Sequence, residues 1–410
     1  MLDQEVLESY AGELDVFYWG RVGRYFKRLE ARARGLAYVK GLLSEVERKN
    51  SWQIAEQQGE TSPDGMQQLL STAVWDADAV CEVVREWVID SYGRVDGVLV
   101  VDETGFIKKG THSVGVKRQY SGTAGRIENC QVGVFLAYSS GANYALIDRA
   151  LYLPEEWIND EVRRVVGGIP SAVAFATKPG LARQMLQRAF AAKVPARWVT
   201  ADSIYGGDYQ FRKLMEDNER FYVVAVTSIH KVWYGITQQT VQSIANAQSD
   251  ADWQRLSCGV GAKGERLYDW LLVRLPRVPT VAHTFTALLV RRSLTDGELT
   301  YYLVFAPLSV TLQTLVAVAG SRWKVEECFE LAKHEVGLDQ YEVRHFIGWY
   351  RHITLAMLAL AFLSIMRQAA LSGERPKKRP GRRPSHFDRA QRSRITAAAR
   401  TARLGHSSAS

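Results

Sequence analysis

The sequence of 410 residues is poor in cysteine, and the four it has, Cys81, Cys130, Cys258 and Cys328, lie far apart. No Cys-x2-Cys pair occurs and no histidine stands at zinc-ligand spacing. That argues against a disulfide scaffold or a zinc centre and for a reducing compartment. Long apolar runs are also missing. The longest, "ITLAMLALAFLSIM" at 353–366, is shorter than the roughly 20 residues that a membrane-spanning helix needs, and it reads as a buried helix. The start, "MLDQEVLESY", is acidic and carries no apolar stretch of the kind found in a secretory leader. These absences predict a cytoplasmic protein without a membrane partner.

Negative charge is scarce at one end. Between Leu371 and Ser410, eleven Lys or Arg stand against Glu374 and Asp388, a balance of +9, so the rest of the chain sums to −1 of the net +8. The stretch "GERPKKRPGRRPSHFDRAQRSRITAAARTARL" has the Pro, Gly, Ser and charge content of a basic tail that is disordered when free and suited to phosphate contact. A purely solubilising tail is the alternative. The length of the whole chain predicts two or three domains.

Residues 1–95 show no sustained strand pattern and read as a helical DNA-binding domain. In "WGRVGRYFKRLEARARGLAYVKGLL", Arg24, Arg28 and Arg32 recur every four residues, which puts them on one face of a continuous helix. Tyr25, Leu29 and Leu36 fall on another. A basic stripe opposite an apolar one suits a helix lying along a phosphate backbone, and a plain solvated face fits equally. In "NSWQIAEQQGETSPDGMQQLLST" a helix with Ile54 and Ala55 breaks at Gly59. Ser62-Pro63 then opens a second helix with Leu69 and Leu70. This is a helix–turn–helix outline, one that many helical hairpins share. Sequence recognition needs base edges read in a groove, so the segment before Asp96 is the expected reader.

From Asp96 the pattern changes to strands. "GVLVVD" ends an apolar run at Asp102. "HSVGVKRQYS" alternates, and "ENCQVGVFLAYSS" follows the Gly-rich turn "GTAG" at 122–125. A helix over 181–192, a strand over 196–202, a helix over 208–218 and a strand over 220–227 come next. That order predicts an α/β fold, a mixed sheet flanked by helices. The expected organisation is a sheet domain beginning at 96–227, a β-rich insertion at 228–310, the domain's last helices at 311–370, and the tail at 371–410. A helix from Leu312 carries "SRWKVEECFELAKHEVGLDQYEVR". Its Val325, Cys328, Phe329, Ala332 and Val336 form an apolar stripe, and Arg322, Glu326, Glu330 and Lys333 share a neighbouring face.

Asp102 and Asp202 each close a strand, and Glu326 follows on a helix after the insertion. An acid at a strand end is often no more than a turn cap. Hard cations such as Mg²⁺, however, take carboxylate oxygens as ligands. Two such ions roughly 3.5–4 Å apart can activate an attacking oxygen and stabilise a leaving one. Acids at the strand ends of one sheet, with a third from a helix across it, would suit that chemistry.

The segments "VLVVDETGFIKKG", "GVKRQYSGTAGRIENCQVGVFLAY", "YLPEEW", "FATKPGLA", "WVTADSIYGGD" and "GLDQYEVRHFIGWYRHITLAMLALAFL" together resemble the bacterial DDE transposases of the insertion-sequence family numbered 701, over residues 20 to 366. The resemblance implies an RNase H-like catalytic domain with a β-rich insertion. It implies Mg²⁺-dependent cutting and joining of DNA by two ions, with Mn²⁺ able to substitute, held by Asp102, Asp202 and Glu326. It further implies binding to an element's terminal repeats and to target DNA, as a homodimer on DNA. The third acid also resembles the Tyr-x2-Arg-x3-Glu-x6-Lys signature of related transposases. Arg322, Glu326 and Lys333 match its spacing, and the Tyr position is Ala319.

Arg322 and Lys333 then become candidate phosphate grips, with ion pairing to Glu326 or Glu330 as the plain alternative. Lys117 and Arg118, beside Tyr120, are candidate backbone contacts. Glu103 is expected to be a neighbour rather than a ligand, Glu327 is the runner-up for the third acid, and Trp270 is expected in the core rather than against a flipped base. Two other readings use the same acids: an RNase H-fold nuclease without strand transfer, and a domesticated, non-catalytic DNA-binding protein, against which an intact acidic triad weighs.

Overall fold

The computed structural model describes residues 12–261, 264–277 and 279–372. The basic tail lies outside the described residues from 373 onward. The chain is α-helical over 12–17, then widens into a π turn at Tyr18–Val22 and tightens into a 3-10 turn at Gly23–Tyr25. The pitch changes because Phe26 leaves the helix in extended conformation to bridge Trp75, where the two rings stack at 4.8 Å. Helix α1 begins only at Leu29 (Leu29–Leu42), with Arg28 at its N-cap. The expected basic stripe is therefore corrected. Arg24 lies ahead of α1, and the Nε of Arg32 is buried. Burying Phe26 against Trp75 outweighs helical continuity here, since a buried aromatic contributes about 1.5–3 kcal/mol.

Two short helices follow, α2 (Ser51–Gln57) and α3 (Asp64–Leu70). Asn50 caps α2 through its side chain, which accepts from Gln53 N at 2.9 Å, and Gly59 ends the turn after it at φ +78°. Gln67 and Gln68 are exposed on α3. Helix α4 (Ala77–Tyr92) is capped by Asp76.

The sheet opens with β1 (Gly97–Ile107), β2 (Lys117–Ser121), β3 (Arg126–Ser140) and β4 (Asn143–Tyr152). Strand β1 does not stop at Asp102. Its ladder with β3 runs from Val98↔Ser139 to Ile107↔Cys130, so Asp102 sits mid-strand. Strand β4, which the sequence reading left unassigned, pairs with the other edge of β3. Helices α5 (Glu155–Asn159), α6 (Glu161–Gly167) and α7 (Lys178–Ala191) lead to β5 (Ala196–Ala201). Short α8 (Ser203–Gly206) and α9 (Tyr209–Asp217) lead to β6 (Phe221–Val226). Strands β1, β5 and β6 are parallel neighbours.

A two-stranded hairpin, β7 (Lys231–Tyr234) and β8 (Thr237–Thr240), precedes α10 (Val241–Asn246). Strands β9 (Gln254–Gly261), β10 (Gly264–Arg274), β11 (Thr284–Arg292) and β12 (Leu299–Pro307) then continue the main sheet, because β12 pairs antiparallel with β6. The strand order is β2-β3-β1-β5-β6-β12-β11-β10-β9, with β4 on β3. Trp270 is buried in this extension, as expected, and its indole N–H donates to Leu256 O.

The helix expected from Leu312 is two helices, α11 (Leu312–Ser321) and α12 (Trp323–Val336), meeting at Arg322. Gly337 ends α12 at φ +62°. Helix α13 (Phe346–Ser372) is apolar on all sides and lies in the interior. By length and composition it could cross a membrane, yet most of its apolar window is buried inside the fold. It packs against α1, α4 and β4. Its buried polar groups are bonded to α1, to the turn after α3 and to β4: His352 Nδ1 with Tyr38 OH at 2.9 Å, Arg351 to Ser71 O at 2.7 Å, and Thr354 Oγ1 accepting from Arg149. One apolar cluster runs from Leu14 to Met366.

Candidate active site

The parallel ladder between β1 and β5 ends at Val101↔Ala201. Asp102, still within β1, and Asp202, just past the end of β5, are thus the next residues after the last pair of that ladder. Beyond that point β5 turns into α8, and Asp202 caps it, its Oδ1 accepting from Ile204 N at 2.9 Å. Gly206 lets α8 lie directly on β6, because a Cβ there would collide with Ala225 O. One carboxylate oxygen from each of Asp102, Glu103 and Asp202 lies within 4.8 Å of the others.

Glu103, expected as a neighbour rather than a ligand, brings a carboxylate oxygen to this cluster. Glu103 is anchored by two partners: Lys178 Nζ at 2.7 Å on its Oε1, and the Tyr205 hydroxyl, which donates to Oε2. The sequence signals for these partners were "ATKPG" and "DSIY", both inside segments already singled out.

Burial pushes the Asp102 carboxyl up to about 7, against the pull of Arg322 and with reinforcement from Asp202 and Glu103. Asp202 is raised by burial too, then by Glu103, while the N–H groups of Ile204 and Tyr205 act to lower it. Closely held acids that resist ionisation form a donor set of oxygen atoms waiting for a cation, and that chemistry fits a hard divalent ion.

Glu326 reaches the cluster through Arg322. The guanidinium lies 3.6 Å from Asp102 Oδ2 and 3.2 Å from Glu326 Oε1. Burial acts to lower the Arg322 pKa, but Asp102 and then Glu326 outweigh it and raise it. Glu327 instead influences Lys324 and Tyr144. Lys333 makes neither of the ion pairs considered for it: its Nζ donates to Thr123 Oγ1 at 2.8 Å and to Gly105 O at 3.4 Å. Burial lowers its pKa. On edge strand β2, Lys117 and Arg118 are exposed, and Lys117 pairs with Glu156 at 2.6 Å. Arg24 lies in the 3-10 turn, Arg28 at the N-cap of α1 and Arg32 near the start of that helix.

A mixed sheet flanked by helices, with acids gathered where two parallel strands diverge, defines an α/β protein with an acidic, metal-type centre. The chain belongs to the DDE superfamily endonucleases, whose family model matches residues 21–249, more than half of its length and including Asp102 and Asp202. It is an enzyme of that family, which implies use of a divalent metal. It is 24% identical over 316 residues to a probable transposase for insertion sequence element IS701 from Microchaete diplosiphon, covering 75% of each chain. Among solved structures it is similar to piggyBac transposase in a synaptic complex with hairpin DNA, at 12% identity and a TM-score of 0.45, covering 92% of this chain and 72% of that one.

Proposed function

We propose that this protein is the transposase of a bacterial insertion sequence, acting in the cytoplasm on the element's terminal repeats and on target DNA. The observation that carries the reading is the pairing of Asp102 and Asp202 at the end of the β1–β5 ladder, inside the segment matched by the endonuclease family. The relationship to the IS701 transposase supports strand transfer rather than cleavage alone. Antiparallel β4, β3 and β1 beside parallel β5 and β6 support an RNase H-like catalytic core, with β9–β12 as its insertion. Residues 12–95 would be the DNA-binding region, and joining two ends calls for a dimer on DNA.

In this proposal Asp102 and Asp202 hold Mg²⁺, as two ions, and Glu326 completes the set from α12. Bound Mg²⁺ supplies activation of the attacking oxygen and charge stabilisation at the leaving oxygen. The protein's own contribution is placement. The β1–β5 ladder fixes the two aspartates, Glu103 ties β1 to α7 and α8, and Arg322 orients Asp102 and Glu326 together. With a cation in the acidic set, Arg322 is positioned to bind a phosphate beside the scissile bond, where charge-assisted hydrogen bonds are strongest. Lys333, Lys117, Arg118, Arg24, Arg28 and Arg32 would contact phosphates farther along the DNA. The test is incubation with Mg²⁺, a repeat-ended fragment and a target plasmid. Joined products are expected, whereas cleavage without joining would make the protein a nuclease on the same fold.

A further inference from the structure

A cavity of about 1270 Å³ lies on the α4 side of the sheet, between α4, β4, the segment 168–176, α7 and the start of α13. Arg85 lines it from α4. The residue is only 8% exposed, and among the described residues its side chain donates no hydrogen bond and makes no ion pair. The guanidinium nitrogens themselves are reached by solvent from the cavity, so they can be offered to an anionic ligand there. Exposed Arg24 and Lys27 line the same cavity from the N-terminal segment.

The acids in the wall do not balance these cations. Asp78 pairs with Arg149 at 2.8 Å, Asp148 with Arg188 at 2.8 Å, and Asp76 caps α4. That leaves Glu82 to face Arg24, Lys27 and Arg85, while Arg351 donates to the Ser71 and Ala73 carbonyls. The wall also carries aromatic surface, with Tyr25 and Tyr350 partly buried and Phe175 38% exposed.

The geometry points to a binding site for single-stranded DNA, with Arg85, Arg24 and Lys27 as phosphate contacts and Phe175 as a stacking platform. A positive groove interleaved with aromatics is how single strands are held without sequence preference. The volume exceeds the roughly 300–1,000 Å³ of ordinary small-molecule pockets. Helix α7 connects the cavity to the acidic centre. Lys178 in its first turn holds Glu103, and Leu181, Gln184 and Arg188 face the cavity. Lys178 and Gln184 are about 9 Å apart along the axis at 1.5 Å per residue. A strand leaving the cut site could therefore enter the cavity. The inference rests on the proposed action on DNA and adds where an unpaired strand goes.

The test uses the full chain in EDTA, titrated into a fluorescein-labelled oligothymidylate of about 12 nucleotides, within the range of known single-strand sites. Anisotropy is read across a salt series. Arg85→Gln and Lys27→Gln should each weaken binding several-fold and flatten the log–log salt slope by about 0.7. Lys213→Gln, on the exposed face of α9, should change neither. Lys27 is a surface residue, so its variant keeps the test alive if Arg85→Gln misfolds. Slopes identical to the parent in both folded variants overturn the inference. So does binding that appears only after residues 1–11 are removed, which assigns the cavity to the chain's own acidic start. If strand transfer proceeds but the oligonucleotide does not bind through Arg85, only this inference falls. If neither single-stranded nor duplex DNA binds, the transposase reading falls with it.

Discussion

Asp102 is where burial and charge meet most sharply, and two expectations follow at the scale of single residues. Burial pushes its carboxyl up from an ordinary 3.8 to about 7. A raised folded pKa adds stability that is fully present below the ordinary value and lost as the pH climbs to about 7. Asp102→Asn cannot ionise. In EDTA at pH 8 it should therefore melt above the parent, with each pKa unit worth about 1.4 kcal/mol, and the gap should close by about pH 4. An equal gap at both pH values would refute the burial argument. Adding Mg²⁺ at pH 8 should stabilise the parent alone. For catalysis, Asp102→Asn, Asp202→Asn and Glu326→Gln should each abolish cleavage in a nicking assay while repeat binding by gel shift survives, because each swap keeps shape and removes a metal-binding charge. If Glu326→Gln still cuts and Glu103→Gln does not, the third ligand is the acid beside Asp102.

Helix α13 shows how one element ties distant parts of the described chain together. His352 is fully buried, bonded to Tyr38 OH on α1 and to Gly337 O at the end of α12. Burial lowers its pKa to about 3 from an ordinary 6.5. For a depressed histidine, stability is intact above 6.5 and lost as the pH falls toward the folded value, because the unfolded chain takes up the proton first. Thermal melts from pH 7 to pH 4 should therefore fall for the parent, and the fall should be shallower for His352→Gln. A parallel decline in both proteins would show that other groups control acid stability.

Across the whole molecule, the helical region and the sheet share one core. Leu36 and Val39 of α1 and Val84 and Val88 of α4 belong to the same apolar cluster as Leu358 and Phe362 of α13. Arg351 of α13 also satisfies carbonyls in the turn after α3. Residues 1–95 on their own would expose that apolar surface and leave the carbonyls to water. The isolated fragment should show no cooperative thermal transition by circular dichroism, whereas the full chain should. A sharp transition in the fragment would establish an independent domain. Repeat recognition by the N-terminal region is accordingly best probed in the full chain, for instance with Gln67→Ala and Gln68→Ala on the exposed face of α3.

The sequence by itself determined the local pieces whose signal is short-range. The apolar run before Asp102, the helix of 209–217 with its Asp208 cap and the apolar stripe on α12 all follow from nearest-neighbour chemistry. The family motifs likewise marked Asp102 and Asp202. Only the tertiary structure decided what those pieces do together. It carried β1 past Asp102, because β3 offers a ladder on that side to its end. It halted helix formation at Phe26, because Trp75 waits elsewhere in the chain. It split the long C-terminal helix at Arg322, where one guanidinium spans acids on β1 and α12. It brought Glu103 into the acidic centre through Lys178 and Tyr205, 75 and 102 residues away in sequence. Periodicity reports the face a residue takes within its own element, while a partner that distant is set by the packing of the whole core, and no local pattern encodes it.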